Sequence, residues 1–239
     1  LNLTWETLEG LVKHNGPVVG AENPIEKAPY AIRKYYEKHD LELSGHAGIE
    51  AQIAAISDDI AYNNHDIDDG LRAGLFTIDD LLPLPLVGDI FSQVMSTYPS
   101  LEPRRLRHEA IRRLISQMVS DVVAETEKRI NENNIQRAED VRALSYSVAE
   151  FSSQMQESHL ALKEFLRAKM YRHSEVNRSM SKARRIVKDL FSLFYDEPHL
   201  LPEEWQELCD KPGSETTARI ICDYIAGMTD RFAVEEHKT

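Results

Sequence analysis

The sequence has few cysteines and no long apolar run. Its two cysteines, Cys209 and Cys222, do not stand in a Cys-x-x-Cys spacing, so we expect neither a structural disulfide nor a zinc finger. A reducing cytoplasm is the expected compartment. No apolar run approaches the roughly 20 residues of a membrane span, and no charged segment followed by an apolar one opens the chain as a secretion signal would. We therefore expect no membrane partner.

Basic residues are also in short supply. Lysine and arginine total 28 against 40 aspartates and glutamates, which gives a formal net charge of -12. A chain with this charge is repelled by the phosphates of nucleic acids and by anionic lipids. The charge balance therefore argues against general nucleic-acid binding, although it leaves room for a local basic pocket.

Glycine and proline are scarce, with ten of each, and they cluster between apolar segments. No stretch alternates apolar and polar residues as a half-buried strand would, and the chain is long enough to bury a core. Thr4 is a predicted N-cap, and Thr77 and Asp80 resemble a capping box. The sequence therefore predicts an all-α protein, with helices over residues 4–14, 29–38, 46–75, 87–97, 103–131, 159–172, 175–195 and 215–232.

The most informative segment is residues 57–70, Ser-Asp-Asp-Ile-Ala-Tyr-Asn-Asn-His-Asp-Ile-Asp-Asp-Gly, which contains five aspartates. Apolar residues recur through residues 49–75 at spacings of three, four and seven, and they predict a helix with one apolar face. On a helical wheel the opposite face presents Asp58, Tyr62, His65 and Asp69, with Asp66 on its flank. Carboxylates at this density repel one another, and a divalent cation would offset that repulsion.

A solvated acidic surface is the alternative interpretation of this segment, and three features disfavour it. Leaving the large ring of Tyr62 in water gives up the free energy that its burial would contribute. Asn63 and Asn64 are poor helix formers with no obvious cap to make. Asp68 and Asp69 lie toward the C-terminal end of the helix, where the helix dipole disfavours negative charge. We interpret the segment as one wall of a metal–phosphate site.

Two further segments make the acidic helix identifiable: Leu-Asn-Leu-Thr-Trp-Glu-Thr-Leu-Glu-Gly-Leu-Val-Lys-His-Asn-Gly-Pro at residues 1–17, and Tyr-Ile-Ala-Gly-Met-Thr-Asp-Arg-Phe-Ala at residues 224–233. Together the three segments resemble the C-terminal two-thirds of bacterial deoxyguanosine triphosphate triphosphohydrolase-like proteins, of the HD-domain superfamily. The resemblance implies part of an HD-domain-like helical bundle with a C-terminal helical extension. Residues 1–100 would be the C-terminal portion of the phosphohydrolase core, and residues 101–239 a helical C-terminal region, either separate or part of the same domain.

The resemblance also implies a set of site residues. The family binds its metal with a His, a His-Asp doublet in a His-Asp-Leu-Gly-His-type motif, and a final Asp that opens an Asp-x3-Tyr-x3-Asp pattern. The doublet motif does not occur in this sequence, whereas Asp58, Tyr62 and Asp66 match the final pattern. Asp58 would then be the last metal ligand, and Tyr62 and Asp66 would line the triphosphate pocket. His65, which with Asp66 resembles a metal-binding pair, would be a neighbour without a ligand role.

Basic residues complete the implied site. Lys13 matches a phosphate-contacting lysine of the family, and Lys27 is a second candidate, with an exposed surface lysine as the alternative for each. No catalytic acid or base is identifiable in the chain. The segment from Tyr224 to Phe232 is expected to be mainly core, with Ile221 in the same apolar stripe. Arg231 is a candidate contact to a nucleotide or a neighbouring subunit.

The implied activity is hydrolysis of deoxynucleoside triphosphates to deoxynucleoside and triphosphate, with a divalent metal (Mg, Mn or a transition metal) and a homo-oligomeric assembly. Because the first residue is Leu1 and the earlier ligands would lie upstream, we expect the chain to be a fragment that is inactive alone. A catalytically inactive helical oligomerisation or nucleotide-binding regulatory module is the second interpretation. An all-α pyrophosphatase is a third, disfavoured because residues 57–70 contain no Glu-x-x-Glu pair.

Overall fold

The computed structural model describes residues 2–238 and has no strand in that range. The predicted fold class, an all-α, HD-domain-like bundle, is confirmed. None of the helices in the described range is long and apolar enough to cross a bilayer. The α-helices are α1 (Trp5–Lys13), α2 (Tyr30–Tyr36), α3 (Ile49–Ala73), α4 (Ile78–Leu81), α5 (Val87–Thr97), α6 (Pro103–Glu132), α7 (Ala138–Arg142), α8 (Ser153–Leu166), α9 (Ser174–Asp196), α10 (Glu203–Gln206), α11 (Glu215–Ala226) and α12 (Asp230–Glu236).

The chain forms two compact units, which meet in sequence between Met170 and Tyr171. The predicted regions, residues 1–100 and residues 101–239, were either two domains or parts of one. Helix α6 packs against α3 and α5 and belongs to the first compact unit. A long helix whose apolar side is buried by earlier helices cannot begin a separate core. The division falls near the end of the short π-helical continuation of α8, Arg167–Tyr171.

The first unit is built around α3, which packs against α1, α6 and α8. Its apolar stripe is buried chiefly in the middle of the helix, where Ile60 is 4% and Ile67 0% exposed. These residues enter two core clusters, one with Leu114 of α6 and one with Met118 of α6. Ile53, which the pattern assigned to the same stripe, is 42% exposed, because it lies near the start of the helix, beyond these clusters.

Local signals set several helix ends as expected. The Thr4 hydroxyl accepts a hydrogen bond from the backbone N–H of Thr7. Thr77 and Asp80 form the predicted reciprocal capping box at the start of α4. Two boundaries differ from the prediction. Helix α8 begins at Ser153 rather than near residue 159, because Ser152 caps it and also donates to the Asp121 carboxylate at 2.6 Å.

The helix predicted over residues 215–232 is two helices. The first ends at Ala226, and the second begins at Asp230, where the Thr229 hydroxyl accepts a hydrogen bond from the Phe232 N–H. This break changes the direction of the chain, so Phe232 is 46% exposed and the prediction that it lies in the core was wrong. Ile221 is fully buried as expected, and Tyr224 packs edge-on against Phe194 of α9.

The core of the second unit lies between α9, α10, α11 and α12. Ile186, Leu190 and Phe194 of α9 face Leu201 and Ile221. Partly buried Trp205 and Tyr224 close the cluster, with ring centroids 5.3 Å apart. Only the second half of α9 contributes to this cluster, and the residues of the first half, up to position 185, are mostly exposed.

A buried ion network joins α1 to α7 and to the start of α3. The side chains of Glu9 and Lys13 are each 1% exposed, and Lys13 Nζ lies 2.9 Å from Glu9 Oε1. Arg142 Nη2 donates to Glu9 Oε2 at 2.8 Å, and the Gly48 N–H donates to the same oxygen at 3.4 Å. Burial raises the pKa of Glu9, but the hydrogen bonds from Arg142 and Lys13 outweigh it and hold that pKa below its usual value. The carboxylate therefore stays ionised.

Gly88 marks the tightest backbone approach in the first unit. A Cβ at this position would lie 2.0 Å from the carbonyl oxygen of Leu82. We expect Gly88→Ala to reduce the free energy of unfolding by roughly 2 kcal/mol or more, because backbone must move to admit the methyl group. The measurement is urea unfolding followed by circular dichroism. Gly20→Ala is the control, since a Cβ at Gly20 would meet no atom within 4 Å. Equal stability of the two variants would contradict the close approach.

The ion network predicts unequal effects for two lysines. Lys13→Met leaves Glu9 buried with one cation fewer, and we expect it to destabilise the chain by about 2–3 kcal/mol, somewhat less than a wholly unpaired buried charge costs because Arg142 remains. Lys34 and Glu37 form a similar pair, but their side chains are 56% and 60% exposed. Lys34→Met should therefore cost no more than about 0.5 kcal/mol. Thermal unfolding of both variants decides the point, and a stable Lys13→Met protein would show that the network is dispensable.

Candidate functional site

The outward face of α3 carries the predicted site residues. Asp58, Tyr62, His65 and Asp69 are exposed, and Tyr62 is 62% exposed. Asp66 is partly buried. Asp58, Tyr62 and Asp66 follow one another at intervals of four residues, so they rise along one side of the helix by about 6 Å a step. The structure thus gives this face a row of two carboxylates and a phenol.

The two asparagines between these residues have a different explanation from the one the sequence suggested. Asn63 and Asn64 are 6% and 1% exposed, and both point to the core side of α3. Asn63 Nδ2 lies 3.4 Å from His159 Nδ1, and Asn64 Nδ2 donates to the Ile60 carbonyl at 2.8 Å. The Asn64 Oδ1 atom is buried without a hydrogen-bond partner within residues 2–238. Their helix-disfavouring character therefore reflects polar packing contacts and is not evidence for a metal.

The aspartates at the end of α3 are also compensated by protein cations. Arg107 of α6 forms an ion pair with Asp68, and Arg72 Nη1 lies 3.6 Å from the same carboxylate. Arg72 also approaches Asp69 at 3.9 Å. The crowding of Asp68 and Asp69 near the C-terminal end of the helix thus needs no bound cation to be tolerated. Of the three features that disfavoured a solvated face, only the exposure of Tyr62 remains.

A second cluster lies on the flank of α3, where sequence reasoning identified nothing. His159 of α8 is 4% exposed, and its Nε2 lies 3.6 Å from Asp59 Oδ2. Lys163 Nζ lies 3.2 Å from the same oxygen. Burial, reinforced by Lys163 and opposed by Asp59, lowers the pKa of His159, so the imidazole is neutral at pH 7. A cleft of about 230 Å³ adjoins these groups, with His14 at its other side. No motif in the sequence signals this pairing across a hundred residues.

The two predicted phosphate-binding lysines occupy different settings. Lys13 is buried, and besides its pair with Glu9 it donates to the carbonyl oxygen of Glu42 at 3.0 Å. Lys27 is exposed and donates to the Glu22 carbonyl at 3.0 Å. In the present arrangement Lys13 supports the fold, and a phosphate would have to draw it away from Glu9. The role of each lysine toward phosphate stays a prediction, as does that of Arg231, which is exposed on α12.

A basic cleft of about 860 Å³ lies at the start of α6, and its lining includes Arg104, Arg105, His108, Glu109 and Arg112. Hydrogen bonds from Arg112 and then Arg113 lower the pKa of Glu109 to about 2. That carboxylate is thus charged and compensates these two arginines. Arg104 and Arg105 have no ion-pair partner within residues 2–238. The cleft is a local positive surface on an acidic chain, and the basic composition of residues 104–113 was its signal in the sequence.

The exposed donor side chains of α3 do not form a group that could hold a metal ion. Within residues 2–238, no three His, Cys, Asp or Glu side chains lie close enough to hold an ion together. Asp58 is suited to bind a hard cation through an exposed carboxylate, but one ligand does not make a centre. The residues described here therefore do not by themselves fit a complete metal site.

Comparison with known proteins relates the whole chain to one group. The Phosphohydrolase-associated domain family matches residues 149–239. A deoxyguanosinetriphosphate triphosphohydrolase-like protein of Parvibaculum lavamentivorans is 61% identical over 99% of this chain. Proteins of the same name from a Caulobacter species and from Cereibacter sphaeroides are 52% and 47% identical, over 100% and 99% of it.

The chain spans only part of each of these relatives, 60% of the first two and 61% of the third. Similarity of this extent and level establishes common ancestry for the matched region. The resemblance predicted from three sequence segments is therefore confirmed: over its whole length this chain is related to about 60% of the length of the deoxyguanosinetriphosphate triphosphohydrolase-like proteins.

Proposed function

We propose that this chain is part of a metal-dependent phosphohydrolase that converts deoxynucleoside triphosphates to deoxynucleoside and inorganic triphosphate, and that the chain alone lacks the remaining metal ligands. The observation that carries the proposal is the row of Asp58, Tyr62 and partly buried Asp66 on the outward face of α3, in a chain whose relatives are named triphosphohydrolase-like. Asp58 supplies one ligand to a divalent ion, Mg, Mn or a transition metal. A divalent ion held there would supply Lewis-acid chemistry toward a phosphoryl oxygen, and Asp58 would be the one ligand that this chain contributes.

The remaining residues act on the triphosphate itself. The Tyr62 hydroxyl, free of burial, donates a hydrogen bond to a phosphate oxygen, and Asp66 lies beside the phosphates. The Arg107–Asp68 ion pair joins the basic start of α6 to the end of α3, and Arg107 is the cation of α6 that the structure places against the acidic helix. Cations at this place favour a substrate with several negative charges. Lys27, and Lys13 if it leaves Glu9, are further phosphate contacts in this proposal.

A helical oligomerisation or regulatory module is the second candidate function. It is favoured by exposed large apolar side chains on several helices, among them Leu11, Val123 and Leu160 at 62%, 51% and 55% exposure. In this alternative the chain assembles as a homo-oligomer in the cytoplasm and binds a nucleotide without hydrolysing it. Light scattering combined with nucleotide-binding calorimetry separates the two candidates.

The first prediction concerns turnover by this chain alone. Because its described residues provide no group of three potential metal ligands, we expect no triphosphate release above background from mixed deoxynucleotides with Mg or Mn. The readout is chromatographic detection of inorganic triphosphate. Robust turnover by the chain that Asp58→Ala abolishes would overturn this expectation, because it would mean that a full metal centre forms from these residues.

The second prediction tests the activity in a longer relative. If the Parvibaculum protein has an aspartate at the position that aligns with Asp58, replacing it by asparagine should lower kcat by at least roughly a hundredfold, because the charged ligand is lost. The residue that aligns with Asp69, on the same exposed face, is the matched control and should leave kcat within about twofold. Bound metal per protein, measured by elemental analysis, should fall only in the first variant. Full activity there would refute the ligand role.

The third prediction concerns the phenol of Tyr62. Tyr62→Phe removes one hydroxyl from an exposed side chain, so the unfolding temperature should not change. In the Parvibaculum protein the equivalent change should weaken substrate binding by roughly fivefold, the worth of one hydrogen bond of about 1 kcal/mol. A KM equal to that of the unaltered protein would exclude a phosphate contact by this hydroxyl.

A further inference from the structure

His159 of α8 contacts two successive turns of α3. Its Nε2 atom lies 3.6 Å from Asp59 Oδ2, and its Nδ1 atom lies 3.4 Å from Asn63 Nδ2. Asp59 and Asn63 are four residues apart, so their side chains lie on the same side of α3, one turn apart. They directly follow Asp58 and Tyr62 in the chain, the proposed metal ligand and the proposed phosphate contact. One imidazole therefore bridges the two turns that carry these residues.

The imidazole itself is fixed by the core. His159 is 4% exposed, and its ring packs against that of Phe151, with the ring centroids 5.0 Å apart. Phe151 belongs to the same core cluster as Ile60 of α3 and Met118 of α6. A ring enclosed in this way has little rotational freedom. Its two nitrogen atoms can therefore define positions on α3, as a supporting shell must do for a functional site.

A single protonation state satisfies both contacts. The Asp59 carboxylate only accepts hydrogen bonds, so the facing Nε2 atom has to carry the proton, and Nδ1 then accepts from the Asn63 amide. Burial lowers the pKa of His159, Lys163 lowers it further and Asp59 opposes them, which agrees with a neutral ring. The two contacts thus require one tautomer of a neutral imidazole, and burial favours the neutral form.

Asp59 is also held by a second group of α8. Lys163 Nζ lies 3.2 Å from Asp59 Oδ2 and 3.4 Å from Oδ1. The lysine offsets the charge of a carboxylate that stands next to Asp58 and that could otherwise compete with it for a cation. Helix α8 lies within residues 149–239, which match the Phosphohydrolase-associated domain family. The matched region thus contacts the helix that carries the candidate site.

We propose that His159 is a positioning residue for Asp58, an inference that rests on the proposed metal-dependent function. Apolar packing of α3 against α6 has no directional preference, whereas hydrogen bonds weaken steeply when their angles change. The imidazole therefore sets the rotation of the ligand-bearing turns more finely than the core does. His159 is too deeply buried to touch substrate, so it acts through Asp59 and the peptide unit that Asp59 shares with Asp58.

A histidine that only fills the core is the alternative, and two amide substitutions separate it from a positioning residue. The side-chain nitrogen of glutamine can take the place of Nε2 and donate to Asp59. The shorter side chain of asparagine reaches only the place of Nδ1, so the contact with Asp59 is lost. A core-filling histidine would not distinguish these two amides by the contact that each retains.

The enzyme for the test is a longer relative that has aspartate at the positions of Asp58 and Asp59 and histidine at that of His159. In the numbering of this chain, His159→Asn should lower kcat and the affinity for Mn²⁺ at least roughly tenfold, as loss of a group behind a metal ligand does. KM should stay near its original value. His159→Gln should retain most of the activity, and both variants should unfold at similar temperatures.

A control on the same helix and a double-mutant cycle sharpen the test. Glu164 pairs with Arg167 at the surface, where its side chain is 69% exposed, so Glu164→Gln should leave kcat and Mn²⁺ affinity unchanged. Asp59→Asn should cost little in the His159→Asn background, because the contact between the two side chains is already lost. In this chain itself, nitrogen NMR of the imidazole should show a neutral ring protonated on Nε2.

Equal loss of kcat in His159→Asn and His159→Gln, or loss in neither, would overturn the positioning role. Additive losses in the cycle would do the same, and so would an imidazole protonated on Nδ1. Failure of the proposed function is recognised separately, because Asp58→Asn would then leave turnover and Mn²⁺ binding of the relative intact. That result would remove the proposed function and this inference together, whereas the other outcomes would remove the inference alone.

Discussion

The packing of α3 against α6 is the contact on which the first unit depends. Ile60 and Ile67 bury one side of α3 beside Met118 and Leu114 of α6, and this fixes the rotation of α3 about its own axis. Because the apolar side of α3 is buried, Asp58 and Tyr62 on its opposite side face outward. The position of the candidate site is thus a consequence of core packing, and the chemistry of the outward face is free to vary without loss of the fold.

Much of the fold could be predicted from local pattern. The isoleucine spacing indicated α3 and its outward face, and Thr4 and Thr77 marked helix starts because their hydroxyls cap the backbone directly. These signals depend only on residues a few positions apart. For the candidate site, a family resemblance indicated Asp58, Tyr62 and Asp66, but no sequence pattern indicated which residues of other helices lie beside them.

What the sequence could not predict depends on contacts between distant segments. From the sequence, Asn63 and Asn64 are unexpected inside a helix. In the structure Asn63 lies beside His159 and Asn64 beside Met118, and these contacts explain their positions. From the sequence alone, the charge of Asp68 near the end of α3 is expected to be destabilising. In the structure Arg107 pairs with it and compensates that charge. The break before α12 was missed because Met228 continues the apolar spacing of Ile221 and Tyr224, although Gly227 ends α11 and Thr229 caps α12.

Helix α9 has a further consequence as a straight, unbroken rod with positive charge along its first half and negative charge beyond its end. Such a rod carries a permanent electric dipole in addition to the net charge of the chain. Any charged body that approaches the second unit experiences a torque before it makes contact, so encounters are pre-oriented rather than random. Helix α9 therefore orients approaching charged molecules in addition to contributing to the core of the second unit.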